Sequence, residues 1–259
     1  MLYGKNFLFA HLQKTAGTFC TKVLKNNFPE SIHMKNKHET IKNFLLIKSK
    51  RKFIIGSIRD PLELYVSLWA YGCQSRGSLF NRLTRPKLSH SLILLQKLIL
   101  SKQFSNIKYF TSKNSSNYNY LYEDVNNSNN FQNWFKLINS DESFFNVGLD
   151  VPMYLSNGEK IGLMTRRFLK IYCDYKIRNG KIVVSSIKCL VNFWIRSENL
   201  INDLSKVINL IKDEGEFYSD NEIDSKKVNQ SNHKNYNHYY SDELKKNVYK
   251  IDKLIYERT

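Results

Sequence analysis

The stretch FLFAHLQKTAGTFC, Phe7 to Cys20, decides how this chain is read. From Asn6 to Leu12 an apolar run lies between polar residues, the pattern of a buried strand. From Gly17 to Leu24 the apolar residues Phe19, Val23 and Leu24 fit a helix. Between them lies Gln13-Lys14-Thr15-Ala16-Gly17-Thr18. A strand that runs into the amino end of a helix brings unpaired N–H groups and the positive end of the helix dipole to one place, which favours an anion. Gly17 lets the backbone approach closely, Thr15 and Thr18 offer hydroxyls, and Lys14 adds a point charge. The spacing is not that of the common nucleotide loop, G-x-x-x-x-G-K-[ST], whose lysine follows its glycines. Here Lys14 precedes Gly17 and the first glycine is missing, so a Mg-nucleotide loop is disfavoured. An incidental polar β–α turn is the plain alternative.

The same grammar returns downstream. Lys52 to Ile58 (KFIIGSI) reads as a second strand and is followed at once by Arg59-Asp60-Pro61-Leu62-Glu63. Asp60 suits a helix cap, Pro61 the first helical position, and Glu63 completes a capping-box pattern. A third strand is expected over Leu190–Ile195, leading through Arg196-Ser197-Glu198-Asn199 into a helix over Leu200–Ile211, with Glu198 and Asn199 as caps. Gly162–Tyr172 reads as a short helix. A last helix starts at Ser241, with Leu244, Val248, Ile251 and Ile255 on one face. Strands alternating with helices predict an α/β fold of three layers, with a central, mostly parallel sheet flanked by helices. The whole chain, 1–259, is expected to form one domain. Ser105–Asn130, rich in Asn, Ser and Tyr and poor in aliphatic periodicity, is expected to be a loosely packed excursion.

The chain has 259 residues and a formal net charge of +17, which points to an anionic partner. Its 30 Lys against 10 Arg, with abundant Asn, Ile and Tyr, also fit an A/T-rich coding bias. The lysines are scattered rather than gathered into a stripe, so nucleic acid is not the expected partner. Cys20, Cys73, Cys173 and Cys189 form no C-x-x-C pair or zinc spacing, so reduced thiols in a cytoplasmic protein are expected. Ser91–Leu100 (SLILLQKLIL) is too short to span a bilayer, and Met1–Leu12 lacks the features of a secretory signal.

The motif H-L-Q-K-T-A-G-T resembles the phosphosulfate-binding loop of sulfotransferases that use 3′-phosphoadenosine 5′-phosphosulfate (PAPS). It is most similar to the carbohydrate-type branch, where the loop reads H-x-x-K-T-[AG]-G-T. The second junction, I-R-D-P-L-E-L-Y-V-S-L-W, is similar to that family's 3′-phosphate motif, with Arg59 and Ser67 at its two named positions. M-T-R-R-F-L (Met164–Leu169), W-I-R-S-E-N-L-I-N-D-L (Trp194–Leu204) and N-Q-S-N-H-K-N-Y-N-H-Y-Y-S-D-E-L (Asn229–Leu244) extend the likeness over about two-thirds of the chain. Tyr71 to about Gly148 matches nothing in it.

The resemblance implies a P-loop-like fold and sulfuryl transfer from PAPS to an acceptor hydroxyl, on a carbohydrate or glycan-like molecule, without a metal. Lys14 would stabilise the bridging oxygen, the groups of Thr15, Ala16, Gly17 and Thr18 would hold the 5′-phosphate, and Arg59 and Ser67 the 3′-phosphate. His38, in a K-H-E-T pattern, is the expected base, with Glu39 a competitor. His11, at the end of the first strand, is read as a packed histidine. Ser231 and His233 are candidate donor contacts. Arg166 and Arg167 either meet an acidic acceptor or support the core. Two other readings stay open: an ATP-dependent phosphotransferase of related fold, and a non-catalytic basic protein that binds nucleotide or polyanion. A sulfotransferase-like chain that binds donor without turnover is a third.

Overall fold

In the computed structural model, which describes residues 1–34, 39–47, 52–84, 118–141, 149–219, 221, 223 and 232–257, the strand expected from the opening stretch forms at Phe7–His11. In chain order the described elements are β1 (Leu2–Tyr3), β2 (Phe7–His11), α1 (Gly17–Asn27), β3 (Ile32–His33), α2 (Ile41–Ile47), β4 (Phe53–Ile58), α3 (Pro61–Cys73) and α4 (Ser78–Thr84). They continue with α5 (Ser128–Ile138), α6 (Leu163–Tyr172), β5 (Cys173–Asp174), β6 (Ile177–Arg178), β7 (Lys181–Ile182), β8 (Lys188–Cys189) and β9 (Phe193–Arg196). The last helices are α7 (Leu200–Asp213), α8 (Asp242–Ile251) and α9 (Lys253–Tyr256).

The chain divides into two compact units, Met1–Leu64 with Val151–Gln230 and Asn247–Thr259, and Tyr65–Asp150 with Ser231–Lys246. The first unit is mixed α/β. Its five-stranded sheet has the order β3-β1-β2-β4-β9. β2, β4 and β9 run parallel, whereas β1 is antiparallel to both of its neighbours. The sheet is therefore mixed rather than mostly parallel. β1 is two residues long, Leu2–Tyr3, too short to leave a periodic signal.

Strand alternation explains why helices flank this sheet. Phe7 and Phe9 of β2, Ile55 of β4 and Ile195 of β9 share one apolar cluster with Phe19, Val23 and Leu24 of α1 and Leu204, Val207, Ile208 and Ile211 of α7. The intervening residue Trp194 belongs to the other face, where its ring lies 5.5 Å from Phe168 and 4.8 Å from Tyr172, both on α6. Gly56 makes room for that ring, since a Cβ there would stand 2.3 Å from Trp194. Each fully buried Phe, Leu, Ile or Val of the α1–α7 face contributes about 1.5–3 kcal/mol.

The helix ends show which sequence signals were complete. Asp60 caps α3 as expected: its Oδ1 accepts the Leu62 N–H at 2.8 Å. The capping box is not closed by Glu63, which pairs with Arg59 at 3.1 Å. Glu198 accepts the Asp60 N–H instead, at 2.8 Å. Asn199 occupies the N-cap position of α7 as expected but makes no side-chain cap bond, and the Glu198 carboxylate is turned to Asp60. Asn199 donates to Asp203 at 2.8 Å. The terminal helix breaks at Asp252, whose buried carboxylate accepts the Thr165 N–H at 2.8 Å and hydroxyl at 2.9 Å. The chain interrupts one helix there to cap α6.

The second unit is aromatic at its centre. Trp69 lies 5.5 Å from both Phe131 and Tyr239, and Tyr65 lies 4.8 Å from Phe135. Trp134 donates to the Tyr122 hydroxyl at 2.7 Å, and Trp69 to the Leu121 carbonyl at 2.9 Å. Of the expected loose excursion, residues 105–117 lie outside the described residues. In the remainder, 118–130, Leu121 and Tyr122 are buried and the other residues are exposed or half-buried, and Asn127 caps α5 through the Asn129 and Asn130 N–H groups.

Candidate functional site

Because β2, β4 and β9 are parallel, the segments that follow them leave the sheet at the same edge, where open α/β sheets form their crevices. The register places His11 beside Ser57, and Ile58 beside Arg196. The loop of the opening stretch, the Arg59-Asp60 turn and the Ser197–Asn199 turn thus adjoin one another. Glu198 ties the last two together through its bond to the Asp60 N–H. The Arg59 Nη1 donates to the Lys14 carbonyl at 3.5 Å, which joins the first two.

The loop is held from below by hydroxyls. Leu12 N–H donates to the Tyr172 hydroxyl at 3.0 Å, and that hydroxyl donates to the Ser57 carbonyl at 2.7 Å. Thr15 Oγ1 donates to the Leu12 carbonyl at 2.9 Å and lies 2.6 Å from Ser57 Oγ. A hydroxyl has one proton to give, so Ser57 donates in that second bond. The Thr15 side chain is thus committed inward at 1% exposure, and of the two threonine hydroxyls only that of Thr18 is on an exposed residue. Burial pushes the Tyr172 hydroxyl well above its usual pKa, so it remains a donor across the ordinary pH range.

Two non-glycine residues of the loop are left-handed, Lys14 at φ 66° and Ala16 at φ 57°. Such positions cost about 1–3 kcal/mol each and collect at ligand clamps. Gly17 has a second reason to be glycine. Its φ is not positive; a Cβ there would lie 2.2 Å from His11 Nδ1, so the missing side chain is the seat of the imidazole. His11 Nδ1 faces the Leu12 carbonyl at 3.1 Å, which makes Nδ1 the protonated nitrogen, since a carbonyl only accepts. The amino end of α1 has no side-chain cap and no acidic residue in its first turn. An anion of the right shape would complete it.

Around Arg59 the charges are mixed. Glu63 holds its Nε at 3.1 Å. The Asp60 carboxyl is raised above its usual pKa, chiefly by burial and further by Glu198 and Glu63, while the Leu62 and Glu63 N–H groups work against that. On the adjacent strand Arg196 grips the fully buried Asp203 through its backbone N–H at 2.9 Å, Nε at 3.1 Å and Nη2 at 3.2 Å. Burial alone would raise the Asp203 carboxyl, but Arg196 and Asn199 together hold it below the usual range. A carboxyl lowered by folding stabilises the fold fully above its unfolded pKa, and that contribution is lost as pH falls through the folded value. The stability gap between the parent chain and Asp203→Asn is expected to be constant above about pH 5 and to narrow below about pH 4. Urea unfolding from pH 7 to 2.5 reads this; a gap that does not change with pH contradicts it.

Arg166 is fully buried and donates Nε to the Val151 carbonyl at 3.0 Å, so of its two readings it has the packing role. Arg167 is half-buried on the same helix. Ser67 lies on α3 within the second unit and is 1% exposed. His233 also belongs to the second unit, with Nδ1 2.8 Å from the Lys234 carbonyl. His38 and Ser231 lie outside the described residues. Sequence reasoning missed Ser57, Tyr172 and the bridging role of Glu198. Tyr172 acts from 160 positions beyond Leu12, a distance no local pattern spans.

Among the described residues no group of three or more His, Cys, Asp or Glu is arranged to hold a metal, and no helix is long and apolar enough to cross a membrane. No family model matches the chain, and neither a curated protein nor a solved structure matches it.

Proposed function

We propose that the chain is a sulfotransferase of P-loop-like fold that moves a sulfuryl group from PAPS to an acceptor hydroxyl, with a carbohydrate or glycan-like acceptor. The observation that supports the reading is the meeting of the two strand–turn–helix junctions at one end of the sheet: the Arg59 guanidinium meets the Lys14 carbonyl at 3.5 Å. Lys14, Ala16–Thr18 and Arg59, all in the first unit, are the residues concerned. The uncapped amino end of α1 and its two left-handed neighbours fit a phosphate. A planar guanidinium beside them fits a second phosphate on the same nucleotide.

PAPS supplies an activated sulfuryl group, so the chain's own part is to position the donor and to stabilise charge on the departing oxygen. The N–H groups of the first α1 turn would hold the 5′-phosphate. Arg59 would hold the 3′-phosphate, which ATP lacks, and Lys14 would face the charge that develops on the leaving group.

Calorimetric titration with adenosine 3′,5′-bisphosphate and with Mg-ATP tests the reading. The bisphosphate is expected to bind more tightly, and Arg59→Ala to weaken it by about 10- to 100-fold, the worth of a charge-assisted contact. Equal affinity for both nucleotides, or an Arg59→Ala variant with undiminished binding, would sink the assignment.

A further inference from the structure

We infer that Cys173 and Cys189 are the two halves of a reversible disulfide, closed by a low-molecular-weight disulfide such as oxidised glutathione. The two thiols stand sixteen positions apart in the chain, with no motif to link them. Folding makes them direct partners across the antiparallel pair of β5 and β8.

The kind of pairing decides whether a bond can close. Leu190 N–H donates to the Tyr172 carbonyl at 2.9 Å, one step outside the cysteines. The Cys173 N–H is directed back to the Leu169 carbonyl at the end of α6. Cys173 and Cys189 therefore form a non-hydrogen-bonded pair. In such pairs the Cα atoms stand about 4.5 Å apart and the side chains lie on one face. Disulfides span Cα separations of about 4.4–6.8 Å, so the bridge needs no strand movement.

Exposure sets the order of events. Cys189 is half-buried, while Cys173 is 4% exposed. The Cys189 thiolate attacks one sulfur of oxidised glutathione, which forms a mixed disulfide and releases one glutathione thiolate. The Cys173 thiolate then attacks Cys189 Sγ, breaks the mixed bond and releases the second glutathione. Two protein thiols are oxidised by two electrons, and one glutathione disulfide is reduced to two thiols.

The bond would have a consequence beyond the strand pair. Cys173 directly follows Tyr172, the residue whose hydroxyl accepts the Leu12 N–H at the root of the Lys14 loop. Closing the bridge pins the end of α6 and so stiffens that support. This inference does not depend on which reaction the loop serves.

Peptide mapping of the intact chain after incubation with oxidised glutathione tests it, with hydrogen exchange followed on the peptide spanning residues 11–17. A Cys173–Cys189 cross-linked peptide that dithiothreitol removes, with exchange at the loop slowed by about threefold or more, is the expected result. Cys189→Ser should give neither change. A mixed disulfide that stalls on Cys189, a bridge between other cysteines, or a closed bridge with unchanged loop exchange would each overturn the inference.

Discussion

Replacing Lys14 with alanine is expected to lower sulfuryl transfer by about 10²–10³-fold while adenosine 3′,5′-bisphosphate still binds, the loss typical of a group that stabilises developing charge. The expectation rests on the proposed function and on where the loop holds this residue. Lys14 is left-handed at φ 66°, so its backbone is fixed in a conformation that side-chain removal leaves available. Its carbonyl stays with Arg59, and the Thr15 hydroxyl anchors the next residue to Leu12. Lys14→Ala should therefore keep the loop and the donor while removing one charge. Transfer of labelled sulfate to a panel of glycans, beside bisphosphate titration, separates the two effects. Full activity in the variant would remove Lys14 from the chemistry, and a parallel loss of binding would assign it to donor affinity.

Tyr172→Phe should destabilise the chain by about 2–5 kcal/mol, because a single hydroxyl serves two buried backbone groups and its loss leaves both unsatisfied. The groups are the Leu12 N–H at 3.0 Å and the Ser57 carbonyl at 2.7 Å. The ring itself would stay, since its edge-on packing with Trp194 at 4.8 Å does not involve the hydroxyl. The denaturant midpoint should fall with little change in slope, as expected when compactness is preserved. A change below about 0.5 kcal/mol, the ordinary range for an inconsequential surface substitution, would show that the hydroxyl does not brace the loop.

Local chemistry was legible wherever one stretch of chain contains both partners. Phe7–His11 became a strand because its apolar residues are consecutive, and Pro61 begins α3 because Asp60 beside it can cap. The terminal helical face of Leu244, Val248, Ile251 and Ile255 is likewise buried as its spacing implies. Signals failed where the deciding partner is remote. Glu63 had the right spacing for a capping box, yet Glu198 takes the Asp60 N–H from 138 positions away. Gly17 was legible as a glycine with a purpose, but its seat for the His11 ring was not, since only the turn of the loop brings the two together.

The order Lys14-Thr15-Ala16-Gly17 and its echo at Arg59-Asp60-Pro61 were thus fully present in the linear chain, since each is a strand–turn–helix junction written in neighbouring residues. Their meeting at one sheet edge was not. It follows from the parallel pairing of β2 with β4, a contact between segments 46 residues apart that brings His11 beside Ser57. The same is true of Cys173 and Cys189, and of the Tyr172 hydroxyl under Leu12. Propensity and spacing act over a few residues, whereas strand register and buried hydrogen bonds are settled when distant segments pack.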